Sequence, residues 1–278
     1  MLQKQTVGTL QCAPQRKQSR YGLIALGVGV FGILAFVGWP YLSIAANVVE
    51  LRLRGPKTVE DRLREFGYPV QQRLAPDFAR AGVSYPPSRV ALLGFKQERR
   101  VDVYAASATG AFQFIRSYPI LAASGDFGPK LREGDAQVPE GLYRINFLNP
   151  NSRFHLSLRV NYPNDFDCAQ AKADGRRQLG GDIMIHGNQV SAGCLAMGDQ
   201  AAEDLFVLTA TAGIDRVAVV ISPIDFRVRH FKALPFKAPA WTATLYTQLQ
   251  QVLRDYPIGL DRKVAPAATG TVKGGKGA

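Results

Sequence analysis

The sequence predicts a mainly β fold with peripheral helices, preceded by one N-terminal transmembrane helix. Three observations carry that expectation. Between Arg89 and Ser222 the chain is a succession of short apolar runs separated by Gly, Pro, Asn and Asp, the texture of a β-rich domain. No charged residue occurs from Tyr21 to Val49. Helical spacing of apolar residues is confined to a few segments flanking the strand-like runs.

The uncharged stretch contains YGLIALGVGVFGILAFVGWPYL, bracketed by Tyr21 and by Trp39 and Tyr41. At about 1.5 Å per residue it covers roughly 30 Å, the hydrocarbon thickness of a bilayer, with aromatic rings where the interfaces would lie. Lys4, Arg16, Lys17 and Arg20 precede it without an acidic residue. The positive-inside rule then keeps the N-terminus cytoplasmic and sends the remainder outward. The expected plan is a basic cytoplasmic segment (1–20), an anchor in the inner membrane (21–42) and a juxtamembrane linker with short helices (43–84). A main domain in the periplasm (85–223), an extension with one helix (224–262) and a disordered Gly/Ala/Lys-rich tail (263–278) follow. A cleavable signal peptide competes with the anchor, because Ser43-Ile44-Ala45 is a small-x-small site, but the apolar stretch exceeds the usual h-region.

After the anchor, Thr58-Val59-Glu60-Asp61 followed by Leu63 and Phe66 predicts a capped short helix ending at Gly67. A second helix is expected near Val70–Ala81, interrupted by Pro76 and stopped by Gly82. Tyr85-Pro86-Pro87 breaks the pattern, and the strand-like runs RVALLGF, RRVDVYAA, AFQFIRSY, GLYRINF, FHLSLRV and GDIMIH follow. Ala108-Thr109-Gly110 suits a hairpin turn, with Gly110 free to take positive φ. Asp199 is placed to cap a helix through about Thr211, terminated by Gly213, before a last strand RVAVVIS. Leu245, Leu249 and Val252 recur at helical spacing between Trp241 and Arg254.

The formal charge is +12, from 34 basic and 22 acidic residues. For an exported chain this argues against nucleic acid and for anionic wall polymer, lipid headgroups or simply a solvated basic surface. Of three cysteines, Cys12 falls on the cytoplasmic side, leaving Cys168 and Cys194 in an oxidising compartment where a disulfide is one alternative. Cys168 sits in NYPNDFDCAQAKADGRR, read as a polar loop. His155, His186 and His230 are far apart and match neither HExxH nor CxxC spacing, so neither a metal nor an organic cofactor is expected. His155 and His230 fall in strand-like segments and read as ordinary side chains.

The stretch IMIHGNQVSAGCLAM is the chemically informative one. IMI delivers His186 at a strand end, Gly187 allows a sharp turn, and Ser191-Ala192-Gly193 leads into Cys194 through small residues that leave backbone N–H groups beside the sulfur. Acyl transfer needs a thiolate, a base to generate it, a group orienting that base, and N–H donors for the tetrahedral oxyanion. The candidates are Cys194 as nucleophile, His186 as base, a carbonyl near Gly187 as orienter, and the amides of Gly193 and Cys194 as the oxyanion hole. An inert buried thiol or a disulfide to Cys168 stands as the alternative.

Histidine-glycine, a spacer, then Ser/Thr-x-Gly-Cys is also the landmark of the L,D-transpeptidase catalytic domain (YkuD) family, which this sequence resembles through His186-Gly187 and Ser191-Ala192-Gly193-Cys194. The block from Ser124 to Tyr143, SGDFGPKLREGDAQVPEGLY, resembles the version of the family's T-P-x-G segment found in the YafK-like branch. NYPNDFD and the YPP turn before FKQERRVDVY fit that branch too, so the resemblance spans roughly Tyr85 to Ser222. It implies a β-sandwich with peripheral helices. It also implies Cys194 as nucleophile, His186 as general base, the Gly187 carbonyl as its orienter, and Ser191 as support for the turn or the substrate.

Chemically, the resemblance implies attack of Cys194 on the L-centre carbonyl of diaminopimelate in peptidoglycan stem peptides, with a murein-linked lipoprotein as a further partner. A second stem's amine gives a cross-link, water gives hydrolysis, and a lipoprotein lysine gives attachment or release. The spacer between His186 and the Cys turn is about half the family's usual length, Ala192 stands where a histidine is common, and Ala196 where an arginine is. These departures match the YafK-like branch and lean away from cross-linking. A catalytically silent murein-binding module with the same fold, or a cysteine protease acting on ordinary L-peptides, remain the rival readings.

Overall fold

The computed structural model describes residues 41–42, 44–50, 52–53, 55–191, 193–231 and 237–259. Its elements belong to the second of two units, Leu42–Ala278, the first being Met1–Tyr41. The anchor expected at 21–42 and the tail expected at 263–278 lie, but for Tyr41 and Leu42, outside the described residues. Among the described residues no helix is long and apolar enough to cross a membrane.

Eight strands form one sheet: β1 (Arg89–Phe95), β2 (Arg100–Ala106), β3 (Gln113–Pro119), β4 (Gly141–Ser152), β5 (His155–Val160), β6 (Met184–His186), β7 (Leu195–Ala196) and β8 (Val217–Ser222). Their order is β3-β2-β1-β8-β4-β5-β6-β7. Two sheets of a sandwich were expected. What forms is a continuous sheet whose twelve-residue strand β4 serves both halves: Gly141–Arg144 pair with β8, and Ile145–Ser152 pair with β5 across register shifts. The irregularities bend the strand, as bulges do.

The central strands are apolar on both faces because helices cover both. Val90 and Leu92 of β1, Val101 and Val103 of β2, and Val219 and Ile221 of β8 enter one core, shared with Leu156, Leu158 and Ile185 from the other half-sheet. Ala91, Leu93 and Phe95 of β1, with Tyr104 and Val220, enter a second core. RVALLGF is therefore a continuous apolar run and not an alternating one.

The first core is closed by α1 (Val59–Ala81) and α3 (Asp199–Ala212), the second by α4 (Thr242–Leu253). Two short helices were expected where α1 runs unbroken. Thr58 and Asp61 form a capping box at its start and Gly82, at φ 65°, closes its end. Gly67, Pro69 and Pro76 do not divide it, because both prolines sit on the exposed side while Val70, Leu74 and Phe78 bury the other. Each proline removes one hydrogen bond only on the convex solvent face, where a helix tolerates bending. Asp204 of α3, fully buried, ties the helices to the sheet by accepting from Arg73 at 2.7 Å and from the Tyr118 hydroxyl at 2.7 Å.

Three smaller expectations are corrected. Cys168 lies not in a loop but in α2 (Asp165–Ala173), started by a capping box between Asn164 and Asp167. Gly110 does not have positive φ. A Cβ there would lie 2.5 Å from Ser107 Oγ, the group its own amide bonds, so a larger residue would displace that hydroxyl. His230 is in an exposed irregular segment after β8, not in a strand.

Burial raises the Asp167 carboxyl to about 6, opposed by the bonds it accepts from the Asn164 amide and the Tyr143 hydroxyl. The fold therefore holds a proton there that the unfolded chain releases near 3.8. Between those values the unfolded state binds fewer protons, so this group's contribution to stability falls as pH rises. Asp167→Asn cannot titrate. Its stability relative to wild type, from urea unfolding, should rise by on the order of 2 kcal/mol between pH 4 and pH 7. A difference that is constant across that range would contradict the assignment.

Candidate active site

His186 is the last residue of β6, and Cys194 immediately precedes β7. The two strands run parallel in the register Ile185↔Leu195 and His186↔Ala196. Ile185 and Leu195 point into the first core. Alternation then sends His186 to the opposite face, together with Met184, beside which Cys194 lies. The eight-residue loop between the strands, residues 187–194, thus returns the cysteine level with Met184, two residues before the histidine. The sulfur accepts a hydrogen bond from the Met184 amide at 3.4 Å and donates to the Asp182 carbonyl at 3.6 Å. Both Cys194 and Cys168 are free thiols, so the disulfide alternative is not formed.

The imidazole is 1 % exposed, stacks on Phe154 at 4.7 Å between centroids, and sets Nδ1 2.6 Å from the Gly187 carbonyl. A carbonyl can only accept, so Nδ1 carries the proton and Nε2 presents a lone pair. Among the described residues Nε2 has no hydrogen-bond partner, the thiol included. Burial lowers the His186 pKa, opposed by the Gly187 bond. Burial raises the Cys194 pKa, opposed by the Met184 amide and by Lys130, while Asp182 adds to the rise. The resting pair is accordingly a neutral imidazole and a neutral thiol.

Gly187 was expected to allow a sharp turn, yet its φ is not positive; Asn188 takes that role at φ 61°. Glycine is required by crowding. A Cβ on residue 187 would lie 2.6 Å from Asp199 Oδ1 and 2.7 Å from the Phe154 carbonyl oxygen. Asp199 was expected to cap α3. It is instead the first helical residue after Gly198, which makes no side-chain cap, and its Oδ1 accepts the Asn188 amide at 2.7 Å. The carboxylate holds the Gly187–Asn188 peptide, and through it the carbonyl that orients His186.

The two amides proposed as an oxyanion hole are both engaged. Cys194 N–H donates to Ser191 Oγ at 3.0 Å, and Ser191 Oγ donates to the Cys194 carbonyl at 2.6 Å. Gly193, at φ 89°, donates its N–H to Ser124 Oγ. Ser124, Asp199, Phe154 and the Met184 amide are the site groups that the sequence reading assigned no such role. A cavity of about 400 Å³ reaches the turn at Gly193, the residue before Cys194, and is lined also by Lys130, Glu133, Ala136, Asp182 and Ile183. A larger one of about 820 Å³, lined by Phe127, Leu131, Arg132, Arg176 and Lys237 among others, does not reach Gly193. Among the described residues no three His, Cys, Asp or Glu side chains converge as metal ligands.

Fold and site together define a mainly β domain that carries a free thiol on the same strand face as a carbonyl-oriented imidazole. Residues 96–221 match the L,D-transpeptidase catalytic domain family (YkuD), and the resemblance read from the sequence is shown over that stretch. Over 137 residues, 48% of this chain and 53% of the relative, it is 36% identical to "Putative L,D-transpeptidase YafK" of Escherichia coli K12. The same figures hold for the protein of that name in E. coli O157:H7. The chain spans about half the length of the curated relatives it matches. Among solved structures, the helical cell shape determining protein Pgp2 from Campylobacter jejuni is similar at TM-score 0.40 and 17% identity, over 60% of this chain and 69% of that one. Bdellovibrio bacteriovorus Bd1075 is similar at TM-score 0.36 and 19% identity, over 62% and 55%.

Gly187→Ala should displace the Asn188–Asp199 contact and misdirect the carbonyl at His186. The expected result is a loss of about 2 kcal/mol in urea unfolding and several-fold slower iodoacetamide alkylation, read at Cys194 by peptide mass spectrometry. Unchanged stability and unchanged alkylation would show that the turn relaxes freely.

Proposed function

We propose that this protein is a cysteine-dependent acyl-transferase of L,D-transpeptidase type that acts on peptidoglycan stem peptides, forming a thioester on Cys194. The observation that carries the reading is the imidazole whose tautomer the Gly187 carbonyl fixes, leaving the Nε2 lone pair on the strand face shared with the Cys194 thiol. The family match over residues 96–221 supplies the substrate class.

In this mechanism Sγ attacks the carbonyl of the diaminopimelate L-centre, and His186 Nε2 takes the thiol proton as the S–C bond forms. The resting neutrality of both groups suits that order, because a thiol with a raised pKa needs its base during attack. The imidazolium then protonates the leaving amine as the C–N bond breaks, which leaves the thioester. An acceptor amine or a water next gives its proton to Nε2, adds to the thioester and releases the thiol. For the Gly193 or Cys194 amide to meet the oxyanion, its serine must relinquish it.

Ala192 and Ala196, where the family commonly carries histidine and arginine, favour water as acceptor, giving an amidase that releases a murein-linked lipoprotein or trims a stem. The uncharged run at 21–49, behind a basic N-terminus, supports an inner-membrane anchor with the domain in the periplasm.

The test is mass spectrometry of diaminopimelate-type muropeptides, including lipoprotein-linked ones, incubated with the full chain or with Cys194→Ala. Products that appear only with the thiol present are expected, and their identity names the acceptor. The acid limb of the pH profile should lie below 6.5, since burial lowers the base's pKa and its neutral form persists further into acid. If wild type and mutant leave every substrate unchanged while both sediment with sacculi, the domain is a murein-binding module.

A further inference from the structure

The turn carrying the thiol is gripped by one short segment remote in sequence, residues 121–124. Downstream of Cys194, the Ala196 amide donates to the Ala122 carbonyl at 2.9 Å, and the Ala196 carbonyl accepts the Leu121 amide at 2.9 Å and the Ala122 amide at 3.3 Å. Upstream of it, the Gly193 amide donates to Ser124 Oγ. The Ser124 hydroxyl in turn donates a hydrogen bond to the Ala136 carbonyl at 2.8 Å. Gly193 and Ala136 are both walls of the 400 Å³ cavity, so one hydroxyl joins the nucleophile turn to the loop facing it.

Both joined residues have left-handed backbones, Gly193 at φ 89° and Ala136 at φ 54°. Alanine holds that conformation only where its surroundings enforce it. The chain just after this segment is tied to the same loop, because Gln137 Oε1 accepts the Asp126 amide at 3.1 Å and lies where a Cβ on Gly125 would be. A hydroxyl has one proton and accepts readily, so serine meets both demands here, whereas alanine would leave an amide and a carbonyl without partners.

We infer that Ser124 is a positioning residue for the acyl-transfer reaction: its hydroxyl holds the Gly193 peptide against Ala136 and so sets where Cys194 Sγ stands relative to His186 and the substrate cleft. The inference rests on the acyl-transfer reading for its consequence in turnover, but not for its consequence at the thiol. Ser124 touches no reacting atom; it acts through the Gly193 peptide.

The experiment compares Ser124→Thr and Ser124→Val, equal in size and differing in the hydroxyl, in the full chain, with Ser124→Ala as a smaller third variant. Alkylation of Cys194 by iodoacetamide is followed against pH by peptide mass spectrometry, kcat and KM are measured on the muropeptide substrate, and Tm is recorded. Thr is expected to keep the wild-type alkylation profile and kcat. Val and Ala are expected to shift the alkylation midpoint and to lower kcat about tenfold with KM little changed.

If Val lowers Tm but leaves the alkylation profile and kcat at the Thr values, the hydroxyl is merely structural and the inference fails. Val or Ala turning over faster than Thr would mean that the hydroxyl only obstructs the Gly193 amide, which also overturns it. A wild type inactive on every muropeptide, with the alkylation midpoint still moved in Val and not in Thr, would sink the acyl-transfer reading while leaving Ser124 as the residue that positions the thiol.

Discussion

The site depends on a strand only two residues long. Leu195 and Ala196 lie parallel to β6 on one side, and Ala196 is bridged to Ala122 on the other. Two residues cannot form a strand by propensity, so the position of Cys194 is a tertiary decision, enforced by hydrogen bonds from two segments distant in sequence and by Leu195 buried in the core. The Met197 amide, donating to the His186 carbonyl at 2.8 Å, extends the same pairing. Thiol and imidazole therefore share one ladder, and whatever shifts β7 along β6 shifts their relation by a whole residue.

That ladder also sets the electrostatics. Burial acts on both groups in the direction that favours their neutral forms, and the carbonyl at Nδ1 selects the tautomer without supplying a charge. A carboxylate at Nδ1 would favour the imidazolium strongly; the uncharged peptide carbonyl favours it less, and burial prevails to leave the base neutral. Asp199 contributes its charge one step further out, to the Asn188 amide. The arrangement keeps the imidazole a proton acceptor at neutral pH and postpones ionisation of the thiol to the moment of attack.

The sequence was legible where a local rule coincided with the tertiary outcome. The strand runs from RVALLGF to RVAVVIS, the end of α3 at Gly213, the span of α4, and the capping box at Thr58 could all be read from pattern. Reading went astray where packing overrode a local signal. Two prolines and a glycine do not break α1, because its buried face outweighs two missing bonds on the solvent side. Asp199 has the chemistry of a cap but faces a backbone amide delivered from eleven residues earlier. His186 and Cys194 were found because strand, glycine and small residues lie together in one stretch, whereas Ser124 is 69 positions from the amide it holds.

The engaged amides at Gly193 and Cys194 follow from a general constraint. A left-handed turn that exposes N–H groups for an oxyanion also exposes them when no substrate is present, and a half-buried amide without a partner costs free energy. Ser191 answers this within the turn and Ser124 answers it from across the cleft. The two differ in reach. Ser191 bonds the amide and carbonyl of one residue, so its loss disturbs Cys194 alone, whereas Ser124 connects the turn to the 130–137 loop that carries Lys130, Glu133 and Ala136 to the cavity. Movement of that loop around a bound peptide would then be transmitted to the Gly193 peptide through a single hydroxyl, coupling cleft occupancy to the alignment of the sulfur.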